Sequence, residues 1–261
     1  MSLARILVVF RFEARRSLTA ARLAWWLALT LFPVGIVALL MAAGAPITDR
    51  DFWTAIFFFL CPFTVCLLGL LLWAPSLLQS ELEANTWGYL AVRPEGKLSM
   101  LFGKYLTAVS WTVLAALVGL TLAIVVARPE SAFHIWSVLA VLVVLSSLSY
   151  GALFVFLGVL AHKRAMVSAV AYALILEFII GTIPATINKL TVYFRLRTLL
   201  FEWIDWKHTG ANQTIPLLSN SGLIGEGPAW HHVLILLAYT TVLLAAAAYL
   251  IRTKELVPSG D

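Results

Sequence analysis

The sequence predicts an all-α membrane protein: six transmembrane helices, an N-terminal helix lying in the interface, a short helix in a cytosolic joint, and an amphipathic external segment before the last span. Three observations predict it. Of 261 residues, 62% are hydrophobic and 12% charged, which no ordinary soluble domain carries. Six apolar stretches are long enough to cross a hydrocarbon core about 30 Å thick at about 1.5 Å per residue. The Lys and Arg residues fall in the segments that flank those stretches or, as Lys104 does, at the very start of one.

The elements follow in chain order. Residues 1–22 form an elbow, with Leu3, Ile6, Leu7, Phe10, Ala14 and Leu18 on one helical stripe and Arg11, Arg15 and Arg16 elsewhere. That pattern belongs to a helix in the headgroup plane; the plainer alternative is a charged tail that only sets topology. The run Ile6 to Phe10 is too short for a cleavable signal. The spans run from Leu23 to Ala43, Phe52 to Leu78, Leu101 to Ala127, His134 to Ala161, Ala165 to Pro184 and His232 to Ile251. One membrane domain therefore occupies 1–261: spans one to five within 23–184, a joint at 79–100, an external loop at 185–231, the sixth span at 232–251 and a tail at 252–261.

Pro33, Pro62, Pro75 and Pro184 each remove a backbone donor and bend their helices. Small residues at Ala115, Gly119 and Ala123, and at Ser147, Gly151 and Gly158, mark faces where helices approach closely. In the external loop, Leu196, Leu199, Leu200, Trp203 and Trp206 share a face opposite Arg195, Thr198, Glu202 and Asp205. Such a helix rests on the outer leaflet or plugs the external mouth as a lid, with a substrate-contacting gate as the sharper alternative.

Twelve of the eighteen Lys and Arg residues lie in the N-terminal segment, the joint, the turn after the fourth span and the tail. Positive loops stay on the cytoplasmic side. Both termini are thus expected in the cytosol of a multi-pass inner-membrane protein. The basic residues are spread along membrane flanks, which favours anionic lipid headgroups over nucleic acid. Cys61 and Cys66 lie inside the second span with no His or carboxylate beside them, which gives no support to a metal site and reads as core packing.

The joint carries the functional signal. Glu81 and Glu83 end the second span; Asn85 caps a short helix that Pro94 stops; Gly96 and Lys97 turn the chain, and Gly103 with Lys104 opens the third span. The order Glu-x-Asn-Thr-x-x-Tyr-Leu, then Arg-Pro, then Gly-Lys-Tyr-Leu resembles the permease subunits of type 2 ATP-binding-cassette (ABC) transporters. In that family the text runs roughly Glu-x-Gly-Thr-x-x-x-Leu-x-x-x-Pro and then Gly-Lys. This chain has Asn85 where Gly is common, and a longer external loop than many relatives.

The resemblance extends over most of the chain and implies a homodimeric permease with one ATPase subunit docked under each copy, a coupling helix between them, and export of a small amphipathic or lipid-like molecule. It places Glu83, Asn85, Thr86, Tyr89, Leu90, Arg93 and Pro94 on the ATPase-facing helix. His162, Lys163 and Arg164, in the turn between spans four and five, supply either topology charge alone or a second contact. The chain itself binds no cofactor: ATP and Mg belong to the partner. A phosphate-cradling loop needs Gly, four residues, then Gly-Lys-Ser/Thr, whereas Gly96-Lys97 has Ala91 and Leu98 at those positions and Gly103-Lys104 has Leu98 and Tyr105.

Glu177 is the one acidic residue deep in a predicted span, where a carboxylate costs about 2.5–3.5 kcal/mol on insertion scales. It is either a substrate or gating residue, or an internal tie that is protonated or bonded to a hydroxyl such as Tyr150 or Ser146. Used as an ion site, it would instead make the chain a stand-alone carrier or channel. An intramembrane enzyme is disfavoured, because His134, His231 and His232 sit at span ends without the acid–base partners that catalysis needs.

Overall fold

Helix starts follow local capping chemistry. Thr19 accepts from the Arg22 amide at 3.4 Å, and Asp49 accepts from the amides of Asp51 and Phe52 at 3.0 and 3.2 Å; each satisfies first-turn donors that a helix cannot satisfy itself. The computed structural model describes residues 3–44, 49–75, 96–161, 164–182, 188–189, 191–204, 225 and 227–253, and these contain helices and turns with no strand among them.

In order they are α1 (Leu3–Arg16), α2 (Ala20–Ala42), α3 (Arg50–Phe58), a π-helical stretch π1 (Phe59–Val65), α4 (Cys66–Trp73), α5 (Gly96–Ala127), α6 (Ala132–Leu160), α7 (Ala165–Tyr172), a second π-helical stretch π2 (Ala173–Ile179), a 3₁₀ turn (Ile180–Thr182), α8 (Val192–Trp203) and α9 (Ala229–Thr253). Five helices are long and apolar enough to span a bilayer: α2, the continuous α3–π1–α4 rod, α5, α6 and α9. The segment expected as a full fifth span, Ala165 to Pro184, is different. Its apolar helix is Ala165–Ile179, about 22 Å at 1.5 Å per residue and shorter than a hydrocarbon core. It then tightens into the 3₁₀ turn, where Asn188 donates to the Gly181 carbonyl at 3.2 Å.

α6 is the centre of the bundle. Ile135, Leu139, Leu142, Val143, Tyr150, Ala152 and Phe154 along it have no exposed surface, and π1, α4, α5, α8 and α9 pack round it. The small residues seat these neighbours. A side-chain carbon added at Gly119 would lie 2.8 Å from the Thr30 carbonyl beside the Pro33 ring, and one at Gly158 would lie 2.5 Å from the Pro75 carbonyl, so backbone meets backbone there. Outward-facing Leu27, Leu31 and Leu39 of α2 and Leu234, Leu237 and Val242 of α9 stay exposed, which suits lipid and not water.

Pro62 explains π1. Without an N–H it breaks the α-helical ladder; the Cys66 amide bonds the Cys61 carbonyl five residues back, Thr64 donates to the Phe59 carbonyl at 2.8 Å, and Ser146 of α6 donates to the Pro62 carbonyl. Both cysteines are buried and free.

α1 lies against the first turns of α5. At about 48 Å, 32-residue α5 exceeds the hydrocarbon thickness, so its start projects and offers α1 a seat. Gly103 makes room, since a carbon there would be 2.6 Å from Val9 Cγ1, and buried Lys104 reaches Glu13 at 3.9 Å. The expected stripe is thereby split: Ile6 is buried, while Leu7, Val8 and Phe12 are exposed beside Arg11 and Arg15. One apolar side of the helix grips the bundle and another is left for lipid. The end of the bundle that carries α1 is called proximal below, and the opposite end, where α3 and α6 begin, distal.

Candidate functional site

Deep in the bundle, α6, α7 and α8 converge on one carboxylate of π2. Glu177, in π2, has no exposed surface. Its Oε2 accepts from the Tyr150 hydroxyl of α6 at 2.9 Å and from the Tyr193 amide at 3.1 Å. Its Oε1 accepts from the Tyr172 hydroxyl at 3.3 Å and from the Val192 amide at 3.2 Å. Tyr239 of α9 stands beside Tyr172, so the cluster reaches the last helix. Two donors on each oxygen use all the acceptor sites a carboxylate has, and a protonated acid would need one of those partners to accept instead. The shell suits the anion.

Val192 and Tyr193 are the first two residues of α8, so Glu177 fills the anion site that every helix N-terminus presents. Thr191 caps the same turn, accepting from the Phe194 amide at 3.2 Å. The other end of α8 meets the opposite charge. Arg50 donates to the Ile204 carbonyl, the C-cap of α8, at 3.4 Å, and lies 3.5 Å from His134 of α6. Each end of the helix dipole thus faces a complementary charge, an effect of about 0.3–1 kcal/mol per end at a surface and up to about 2 kcal/mol when partly buried.

Aromatic rings close the space beneath. Phe63 of π1 stands 4.6 Å from Tyr193 and 5.1 Å from Phe178 of π2, ring centre to ring centre, so the two π-helical stretches meet under the first turn of α8. Single π turns inside α-helices are frequent at functional sites.

α8 corrects the expectation of a helix resting on the outer leaflet. Its predicted apolar residues Leu196, Leu199 and Leu200 are buried, but so are Arg197 and Thr198 from the rest of its circumference. The helix packs against α6 and α9; its Arg195 donates to Nδ1 of His232 at 3.0 Å, which requires a neutral imidazole protonated at Nε2. His232, placed at a span end by the sequence, is buried inside the bundle. Of the two hydroxyls proposed for Glu177, Tyr150 is the partner; Ser146 turns to the Pro62 carbonyl of π1.

The ATPase-facing residues Glu83, Asn85, Thr86, Tyr89, Leu90, Arg93 and Pro94 lie outside the described residues, as do His162 and Lys163. Arg164 is exposed immediately before α7. Among the described residues no group of three His, Cys, Asp or Glu side chains comes together as a metal site. Sequence reasoning missed Tyr172, the α8 amides and Arg50, because nothing local marks a tyrosine five residues back, or a loop arginine, as partners of one buried helix. No protein-family model and no curated protein matches the chain.

Proposed function

We propose that the chain is the membrane-spanning permease subunit of a type 2 ABC transporter, acting as a homodimer with a separate ATPase under each copy and exporting a small amphipathic or lipid-like molecule from the cytoplasmic side of the inner membrane. The observation that carries this reading is the joint text, Glu83 through Pro94, followed by Gly103-Lys104. Its surroundings support the same reading. The helix that this joint feeds, α5, also seats α1 through Gly103 and Lys104, so a push on the joint reaches the elbow helix as well as the spans. On this reading the proximal end is cytosolic.

The rival reading makes Glu177 the ion site of a stand-alone carrier. Four protein donors already occupy that carboxylate, leaving no lone pair for a cation, so the rival is weaker. The test is co-expression with an ATPase that carries a phosphate-binding loop, followed by purification and reconstitution. A complex of two permeases and two ATPases is expected, with ATP-dependent transport abolished by Tyr89→Ala or Arg93→Glu. Solute transport by the purified chain alone, or coupling that ignores both substitutions, would refute the proposal.

A further inference from the structure

The charge on α1 is sorted by side. Residues 1–22 hold five arginines against one carboxylate, Glu13, and that carboxylate is turned inward, where Oε1 lies 3.9 Å from buried Lys104 of α5 and 4.0 Å from Arg16. What faces outward is basic and apolar at once. Arg11 and Arg15 continue the row of Leu7 at one-turn spacing, and Phe12 stands one turn beyond Val8 on the row beside it. All five are exposed, Val8 by 67% and Phe12 by 63%. Leu18, Arg22 and Trp25, also exposed, carry the same mixture round the corner into α2.

Neither water nor hydrocarbon suits such a face: water leaves Leu7, Val8 and Phe12 wet, and hydrocarbon strips the guanidiniums. Arg11 and Arg15 also repel each other at a spacing of four, which an anion between them would reverse. The depth of the helix says which anion. α1 packs on the part of α5 that projects beyond the hydrocarbon and leads through Thr19 straight into the span α2, so its outer face lies at the level of the lipid headgroups. We propose that this face is a charge-selective lipid-binding surface, which takes the headgroup phosphates of anionic phospholipids in the proximal leaflet in preference to zwitterionic ones. Arg11 and Arg15 donate to phosphate oxygens while Val8 and Phe12 enter the acyl boundary. A zwitterionic lipid offers the same phosphate with a cation attached, which the second arginine repels. Because the inner side of α1 is fixed through Gly103 and Lys104, lipid held on the outer side becomes part of its seat. The inference needs the membrane setting and not the permease reading.

The test uses the full chain without any ATPase in phosphatidylcholine vesicles. Val8→Cys is labelled with a small fluorophore; native Cys61 and Cys66 are buried, and the parent chain gives the background. Phosphatidylglycerol or phosphatidylcholine bearing a spin label on the acyl chain is titrated in, and quenching gives the relative association of each lipid at position 8. Phosphatidylglycerol is expected to associate more strongly, and less so at high salt. Arg11→Gln and Arg15→Gln should each lower the preference by about fivefold, the factor that one arginine near an anionic surface contributes. Replacing both by Lys should keep it, and so should Arg128→Gln, which removes an exposed arginine at the distal end.

Equal quenching by the two lipids overturns the proposal, and so does a preference that survives the double Gln substitution or that Arg128→Gln lowers as much. If the label itself disturbs α1, the unlabelled chain decides: added phosphatidylglycerol should raise its melting temperature in detergent above the value with phosphatidylcholine, the double Gln variant should lose that difference, and no difference in the native chain overturns the proposal. A preference that appears only once an ATPase is bound assigns the face to a protein contact and overturns the lipid assignment. Failure to bind an ATPase would remove the permease reading and leave this result standing. The converse also holds.

Discussion

The seat of α1 can be probed with one methyl group. Gly103→Ala places a carbon 2.6 Å from Val9 Cγ1, 2.8 Å from Val9 Cβ and 3.3 Å from the Phe10 amide nitrogen. Contacts that close force the helices apart, and overpacking of this kind costs about 1–3 kcal/mol. Against it stands the intrinsic gain of Ala over Gly inside a helix, about 1 kcal/mol. The natural control is Gly35→Ala in α2, where an added carbon meets nothing within 4 Å, so only the gain applies. The two variants should therefore differ by about 1–3 kcal/mol, or roughly 2–12 °C in melting temperature for a chain of this size. Thermal unfolding of the purified chain in detergent, followed by native tryptophan emission, measures the difference. Adding Val9→Ala removes Cγ1 but leaves Cβ at 2.8 Å, so recovery should be partial. If Gly103→Ala melts with or above Gly35→Ala, α1 does not sit on α5 as described, and the mechanical link from joint to elbow is lost with it.

Other substitutions follow from the same geometry. Gly119→Ala and Gly158→Ala press on backbone carbonyls, at 2.8 Å from Thr30 and 2.5 Å from Pro75, and should melt below Gly103→Ala, whose nearest obstacle is a side chain. Asp49→Ala removes the cap of α3 and should lose about 1 kcal/mol, read as a lower unfolding midpoint. Glu13→Gln and Lys104→Met share one ion pair, so their effects in a double-mutant cycle should fall short of additive by about 0.5 kcal/mol or more; strict additivity would dismiss the contact. Ser146→Ala removes the hydroxyl that bonds the Pro62 carbonyl and should lose about 1 kcal/mol in the same melt.

How much of this is visible in the sequence depends on the range of the interaction. α2, α5, α6 and α9 lie within a few residues of their expected bounds, because a long apolar run with charged flanks leaves the backbone no option but to bond within itself. The π1 stretch had only Pro62 to announce it: a missing donor predicts a bend, but whether the ladder breaks, kinks or widens depends on Thr64 and on Ser146 from another helix. The fifth span was read to Pro184 because hydropathy continues that far, whereas among the described residues the apolar helix is Ala165–Ile179 and a 3₁₀ turn follows to Thr182. α8 was read as a surface helix because Arg195, Thr198 and Glu202 line one side. Its burial follows from two amides meeting a carboxylate on another element, and no periodicity encodes that.

A buried acid in a membrane helix is often taken to mark ion traffic, and the number of its partners decides whether that inference holds here. Insertion of an acidic side chain at mid-span costs about 2.5–3.5 kcal/mol, while a hydrogen bond to a charged group contributes about 1.5–3 kcal/mol. Two donors would offset the insertion penalty. Glu177 has four, at 2.9–3.3 Å. An ion site gains affinity by leaving its carboxylate short of donors, so that a cation supplies what the protein withholds; a structural tie does the opposite and saturates it. Two of the four donors are backbone amides of α8, so the carboxylate joins that helix to π2, α6 and α7. Saturation by the protein's own donors is the arrangement a structural tie requires and an ion pathway would avoid.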